Sequence, residues 1–363
     1  ICKRLIDDYA LESGLPPGSG IITEERMRML FATAAEPAIE MFSDTIEGAA
    51  HRLGWYFWRN DVLKICEIAR GNDMHPEQLD QFAQRSWDGL SALLEPEDRL
   101  GSEMHLDIAL KNAVFEAIPK LEALDDESAI TDDALETLRN ARRDLRDGAA
   151  QLRWQAWAKL AKIHAAKSAD ALLKKVRAAA AGHALHPRLR SDLQTAVTVL
   201  FQCAREAMVL YADFKRRHAL VDFSDLEFFA LKLLEDEAIA SDVQRSLTLT
   251  LVDEFQDTSP IQLSLFLRLA GITARSIWVG DEKQAIYGFR GSDPRLIRNV
   301  VHALPGHERD QLDTSYRSRP QLVQFANALF GRAFAAQGLT NDQVQIKHIH
   351  RGELDGQSVA LQT

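Results

Sequence analysis

The sequence predicts an α/β fold, a parallel sheet interrupted by a long helical segment. Two short apolar runs, Leu247–Val252 and Ser276–Val279, end abruptly in Asp253-Glu254 and Gly280-Asp281. Runs closed in this way read as buried strands of a parallel sheet, whose chemistry sits just beyond the carboxyl ends of the strands. From about residue 24 to Tyr211 apolar residues instead recur at helical spacing, with almost no strand signal.

Taken in order, Ile1–Leu11 reads as a helix with Leu5 and Ile6 inward and Lys3, Arg4, Asp7 and Asp8 outward. Gly14, Pro16, Pro17 and Gly18 break it. Ile21 and Ile22 make a brief apolar step, and Thr23 is placed to cap a helix over Glu24–Ala35. Ile39, Phe42, Ile46, Ala50 and Leu53 then keep helical spacing. The aromatic run Trp55, Tyr56, Phe57 and Trp58 suits either core packing between helices or stacking on bases, with core the commoner use. Pro96 and Gly101 mark a break between helices. The acidic stretch Asp125–Asp133 reads as a solvated connection, with Thr131 a candidate cap for a helix that turns Leu135, Leu138 and Leu145 inward.

Arg139–Arg190 is rich in Lys and Arg, and its only acids are Asp144, Asp147 and Asp170. It suits a phosphate-tracking face and an ordinary solvated helix surface equally. Trp154 and Trp157 share a helical face and read as core. Ala204–His218 is one more helix, and Asp222 or Ser224 would cap the next, ending near Leu234. Pro294–Val301 reads as a helix, Asp310–Asp313 as the start of a strand, and Pro320 as a helix start with Leu322, Phe325, Ala326 and Leu329 inward. Val344–Ile349 and Ser358–Leu361 are strand-like.

The length of 363 residues suits two or three domains. The net charge of -10 excludes a bulk electrostatic binder of nucleic acid but not a local basic groove. Cys2, Cys66 and Cys203 are odd in number and lack metal-ligand spacing, so they read as reduced thiols. No apolar run is long enough to cross a bilayer and no signal peptide is present. A cytoplasmic protein is expected.

Asp253-Glu254 at a strand end has the form of a Walker B motif. There an Asp can hold Mg²⁺ on nucleotide phosphates, and a neighbouring Glu can orient and deprotonate water. An acidic pair can also merely favour the N-terminus of the following helix, which Ser259-Pro260 would begin well. The longer pattern decides for chemistry. DEFQDTSPIQ (Asp253–Gln262), VGDEKQAIYGFRGSDP (Val279–Pro294) and LDTSYRSRP (Leu312–Pro320) resemble motifs II, III and IV of the UvrD-type superfamily 1 DNA helicases, in that family's order and spacing. Lys283 and Phe289 stand where UvrD-like proteins usually carry an acid and a Trp, so the form is closer to the RecB/AddA branch.

The resemblance implies a RecA-like P-loop NTPase core domain with a large all-helical insertion and the start of a second RecA-like domain. The expected ranges are 1–20 and 206–308 for the first domain, 21–205 for the insertion and 309–363 for the second domain. It implies ATP and Mg²⁺ as cofactors and ATP-dependent 3′-to-5′ movement on single-stranded DNA, within a helicase-nuclease of recombination and double-strand break repair. The implied partners are single- and double-stranded DNA and a protein like AddB or RecC. By resemblance Asp253 holds the metal, and Glu254 and Gln284 act on the attacking water and γ-phosphate. Asp281 and Tyr316 lie at the nucleotide, with Tyr316 on the adenine, and Arg317 reaches the γ-phosphate. Tyr287, Phe289 and Arg290 meet DNA. The rivals are a metal-dependent nuclease using the acidic cluster, and a degenerate, non-hydrolysing structural or DNA-loading component of a helicase complex. The opening ICKRLIDDYALESGLPPG resembles the tail of motif Ia, and the chain has no Gly-Lys dipeptide and hence no G-x-x-x-x-G-K-[ST] loop. An internal piece of a longer protein is therefore expected, without motifs V and VI.

Overall fold

The computed structural model describes residues 1–16, 18–124, 126, 128–146, 149–284, 310, 312–335, 340 and 344–348. The chain divides into two compact units, Ile1–Ile297 and Arg298–Thr363.

The first unit opens with α1 (Cys2–Asp8) and α2 (Ala10–Ser13). These form two short helices rather than the single one expected, because the backbone leaves helical geometry at Tyr9. Gly14 ends α2 in the left-handed conformation that suits a glycine. Strand β1 (Gly20–Ile21) follows, and its parallel partner is β2 (Leu220–Val221), far along the chain. Ile22 donates its N–H to the Val221 carbonyl at 2.8 Å and is itself buried.

Between β1 and β2 the described residues are helical: α3 (Glu24–Leu53), α4 (Trp58–Gly71), α5 (Leu79–Ser91), α6 (Glu103–Glu122), α7 (Ala129–Asp144), α8 (Trp154–Ala161), α9 (Lys174–Ala181) and α10 (Pro187–Arg217). They form two cores. One joins α3, α4, α5 and α10 through Ile46, Val62, Cys66, Leu79, Ala204 and Tyr211. The other joins α6 to α9 through Leu110, Ile118, Leu138, Trp157 and Leu173. Helix α3 runs well past the expected Ala35, since Pro37 is carried inside it and Ala35, Ala38 and Ile39 are buried. The Thr23 hydroxyl makes no cap bond there. Ser128, not Thr131, caps α7, and Thr131 is buried in its first turn.

The aromatic run divides: Trp58 is buried, whereas Tyr56 and Phe57 are exposed. Trp55, half-buried, packs against the same core as Trp58. Much of the basic stretch is ion-paired, Arg139 with Glu122, Lys175 with Glu116, Arg177 with Asp170, Arg188 with Glu103 and Asp107, and Arg190 with Glu97.

Past β2, α11 (Phe223–Glu235), α12 (Glu237–Ser246), β3 (Leu249–Val252), α13 (Pro260–Ile272) and β4 (Arg275–Trp278) complete the unit. Leu5, Ile6, Val221, Leu226, Leu234 and Leu265 form its third core, which packs α1, α11 and α13 together. Where the helical region meets this core, Asp222 caps α11 in a reciprocal box with Asp225. The Asp222 carboxylate is fully buried between Arg70 of α4 and Lys215 of α10, and accepts from the Tyr211 hydroxyl at 3.1 Å. Burial alone would push this carboxyl up, but the two cations overcome it and hold it well below the usual range.

Strands β3 and β4 pair in parallel, from Leu249↔Arg275 to Val252↔Trp278. Thr250 and Val252 are buried on one face of this pair, while Leu249, Leu251 and Ile277 lie exposed on the other.

In the second unit β5 (Thr314–Ser315) pairs in parallel with β6 (Lys347–His348), beside α14 (Pro320–Ala335). Asn327 holds the residue before β6 through both Ile346 backbone groups, at 2.8 and 3.0 Å. The expected inward set on α14 is corrected: Leu322, Phe325 and Leu329 are exposed and Val323 is buried. The two-residue strands are too short to cover that apolar stripe. The expected elements at Pro294–Val301 and Ser358–Leu361 lie outside the described residues.

Candidate functional site at the strand ends

Parallel pairing of β3 with β4 brings Val252 level with Trp278, so both chains leave the sheet at the same edge. The pairing runs on past the strands. Val279 donates to the Val252 carbonyl at 2.8 Å, and Phe255 donates back to the Val279 carbonyl at 3.2 Å. Between these bonds the chain must make a tight turn, and Glu254 makes it in the left-handed conformation, with φ of 51°. A non-glycine residue there costs about 1–3 kcal/mol and persists only where its surroundings fix it. Here the Asp253 carboxylate accepts the Glu254 N–H at 2.9 Å, and the Glu254 carbonyl accepts the Asp257 N–H at 2.9 Å.

The next two side chains turn inward. Phe255 meets the Trp278 ring edge-on, with centroids 5.9 Å apart. Gln256, 1% exposed, lies between the two strand ends. Its Nε2 donates to Glu254 Oε2 at 2.5 Å, and its Oε1 accepts the Asp281 N–H at 2.9 Å. Gly280 leaves room for both side chains. A Cβ at that position would come within 2.6 Å of the Phe255 ring and 2.7 Å of Gln256 Oε1.

Asp281 organises the start of the next loop. Its carboxylate accepts from the Lys283 N–H at 3.1 Å and from Gln284 Nε2 at 3.1 Å, and pairs with the Lys283 ammonium at 2.8 Å. Partial burial raises its pKa, but the bonds from Lys283 and Gln284 outweigh that and lower it. Beyond the acidic turn, Ser259 and Gln262 form a capping box at the start of α13. Gln262 Nε2 donates onward to Glu227 of α11 at 2.6 Å. Burial raises the Glu227 carboxyl, and the Gln262 bond opposes it.

Asp253, Glu254, Asp281 and Gln284 thus gather at one edge of the sheet, with Asp253 and Glu254 exposed. Tyr316 and Arg317 belong to the second unit, where both are exposed directly after β5. Tyr287, Phe289 and Arg290 lie outside the described residues. No group of three or more His, Cys, Asp or Glu side chains among the described residues could enclose a metal ion. Mg²⁺ at a nucleotide takes one or two carboxylates and completes its shell with phosphate and water. The second oxygen of Asp253 has no partner among the described residues and fits that use. Sequence reasoning missed Gln256, a polar residue inside a recognised motif, because its partner lies across the sheet.

A parallel strand pair ending in an acidic left-handed turn, with a second carboxylate on the adjacent strand end, defines an α/β protein with its candidate site at the carboxyl edge of the sheet. The profile of the UvrD/REP helicase N-terminal domain matches residues 1–305, and the chain belongs to that family, with its RecA-like P-loop helicase fold. It is 39% identical over 143 residues to the AddA chain of the ATP-dependent helicase/nuclease of Latilactobacillus sakei, covering 37% of this chain and 15% of that protein. It is 40% identical over 114 residues to DNA helicase II of Escherichia coli, covering 31% of this chain and 16% of the relative. The corresponding AddA helicase/nuclease chain of Exiguobacterium sibiricum is 36% identical over 152 residues, covering 39% and 13%. The matched segments therefore span less than a fifth of these relatives' lengths. No helix among the described residues is long and apolar enough to cross a membrane.

Proposed function

We propose that this chain is part of the motor of an ATP-dependent DNA helicase of the RecB/AddA-like branch. It moves 3′ to 5′ on single strands and serves recombination and double-strand break repair, beside a partner protein like AddB or RecC. The observation that carries the reading is the constellation at the ends of β3 and β4, where Asp253, Glu254, Asp281 and Gln284 share one edge. Likeness to AddA proteins, named as ATP-dependent helicase/nucleases, supports the branch. Residues 21–205 are read as the helical insertion of the first motor domain, and 309–363 as the start of the second.

When Mg²⁺ and ATP are bound, the metal neutralises charge on the phosphates. Asp253 would hold it. Glu254 accepts the proton of the attacking water, help worth roughly 10²–10⁴-fold. Gln284 hydrogen-bonds the γ-phosphate or that water. Tyr316 stacks on the adenine. Arg317 contacts the γ-phosphate through a planar fork that keeps its charge. Tyr287 and Phe289 stack on bases, contributing roughly 1–3 kcal/mol each, and Arg290 meets backbone phosphate.

The test is kinetic, in the complete protein. Glu254→Gln keeps the side chain's shape but cannot accept the proton, so hydrolysis falls to a residual rate, by roughly 10²–10⁴-fold, while ATP binding remains. Asp253→Ala instead weakens Mg²⁺-nucleotide binding. Near-normal turnover by Glu254→Gln would place the base elsewhere.

A further inference from the structure

Gln256 differs from the residues around it. Asp253 and Glu254 are exposed and can meet a ligand, whereas Gln256 is 1% exposed and can meet only protein. Its amide has a donor end and an acceptor end, and each faces its complement. The NH₂ faces a carboxylate oxygen of Glu254 at 2.5 Å, and the carbonyl oxygen faces the Asp281 N–H at 2.9 Å. Turning the amide over would set oxygen against carboxylate and NH₂ against N–H, so the two neighbours fix one orientation. The amide fits there because residue 280 is glycine; a Cβ would stand 2.7 Å from Gln256 Oε1.

The two bonds have different consequences. One fixes a carboxylate oxygen of Glu254. The other ties that fixed group to the backbone at the start of the loop that carries Lys283 and Gln284. A shift of the Asp281 peptide therefore pulls on the amide, and the amide on the carboxylate. We propose that Gln256 is a positioning residue: its buried amide links the Glu254 carboxylate to the Asp281 peptide, so that the base is aimed while the loop bearing Gln284 is seated. This rests on the reading of Glu254 as the general base. Gln256 itself touches neither nucleotide nor water. It acts through Glu254, and it makes occupancy of the loop felt at the base.

The experiment is a double-mutant cycle on ATP hydrolysis in the complete protein, with single-strand DNA at saturation and melting temperature measured on each variant. Gln256→Met keeps the volume and removes both bonds. Gln256→Leu also removes both bonds, with a side chain of a different shape. Both variants should lose kcat on the order of 10²-fold, the scale of a small misplacement of a reacting group. KM for ATP should move less than about twofold, since ground-state binding is untouched. In a Glu254→Gln background, Gln256→Met should cause no further loss, because the group it positions is already gone. Wild-type kcat in either Gln256→Met or Gln256→Leu would overturn the proposal. So would losses that multiply in the double variant, or a fall in kcat explained by a collapsed melting temperature in both variants. Turnover retained by Glu254→Gln alone would overturn the base assignment beneath it, and that outcome is read without any Gln256 variant.

Discussion

Glu254 carries the conformational strain of the strand-end turn, and that strain can be measured apart from catalysis. Its φ of 51° is left-handed, where an L side chain crowds the backbone by roughly 1–2 kcal/mol and glycine does not. At an ordinary position glycine is the less stable choice, because it loses more freedom on folding. Here the order should invert. Glu254→Gly should be more stable than Glu254→Ala by about 1 kcal/mol in denaturant unfolding. An Ala variant as stable as the Gly variant would mean that position 254 is not left-handed. The turn is tolerated because bonds on both sides hold it, from the Glu254 N–H to Asp253 and from Asp257 to the Glu254 carbonyl. None of this was legible in the sequence. Asp-Glu reads as a strand end and an acidic pair, while the positive φ follows from Phe255 having to return its N–H to Val279. Gln256 was hidden for the same reason, since its meaning depends on Gly280 arriving from another strand.

The joint between the helical region and the sheet-bearing part is held by elements far apart in the chain. Helices α4 and α10 each send one cation to the cap of α11, Arg70 and Lys215 onto Asp222 and Asp225. Arg70 also lies 5.3 Å from the centre of the Tyr211 ring, and Lys215 4.5 Å. Removing one partner from a buried network strands the others, at a cost of about 3–5 kcal/mol. Asp222→Ala should therefore lose stability on that scale, beyond the roughly 1 kcal/mol expected of a lost cap alone. The pH dependence has a definite sign. Asp222 has a depressed folded pKa, so its stabilisation is complete above the ordinary aspartate value of 3.8 and is lost as pH falls below it toward the folded value. Asp222→Asn should flatten that part of the acid limb of the stability curve. An unchanged acid limb would mean that the carboxylate is not ionised in the fold. The cap at Asp222 was legible as one of two candidates, because helix starts announce themselves locally. Its two buried cations were not, since Arg70 precedes it by 152 positions. Helix extent failed on the same ground. The helix was expected over Glu24–Ala35, yet α3 continues through Pro37 because Ala35, Ala38 and Ile39 pack in the core shared with α10.

At the scale of the whole molecule, the family was more legible than the architecture. Two of the three motifs, Asp253–Gln262 and Val279–Pro294, lie within the family profile covering residues 1–305. They are legible because strand ends change composition sharply, from apolar to Asp253-Glu254 and from apolar to Gly280-Asp281. The open face of β3 and β4 was not. Leu249, Leu251 and Ile277 read as buried strand residues, yet Leu251 is 67% exposed. In a parallel sheet of this kind both faces are normally covered. That exposure bears on what the 363 residues can do unaided. Hydrolysis needs a water aimed at the γ-phosphate, and the strand ends supply candidates for that. It also needs the β- and γ-phosphates held by a cradle of backbone N–H groups and a Lys. The 363 residues contain no Gly-Lys dipeptide to form such a loop. Without such a cradle, the proposed site at Asp253 and Glu254 should not retain the phosphates. The purified chain 1–363 should therefore fold cooperatively, as judged by circular dichroism, and show no DNA-stimulated release of phosphate from ATP. A folded chain that releases phosphate, and stops doing so on Glu254→Gln, would show that these residues hold the phosphates by another route.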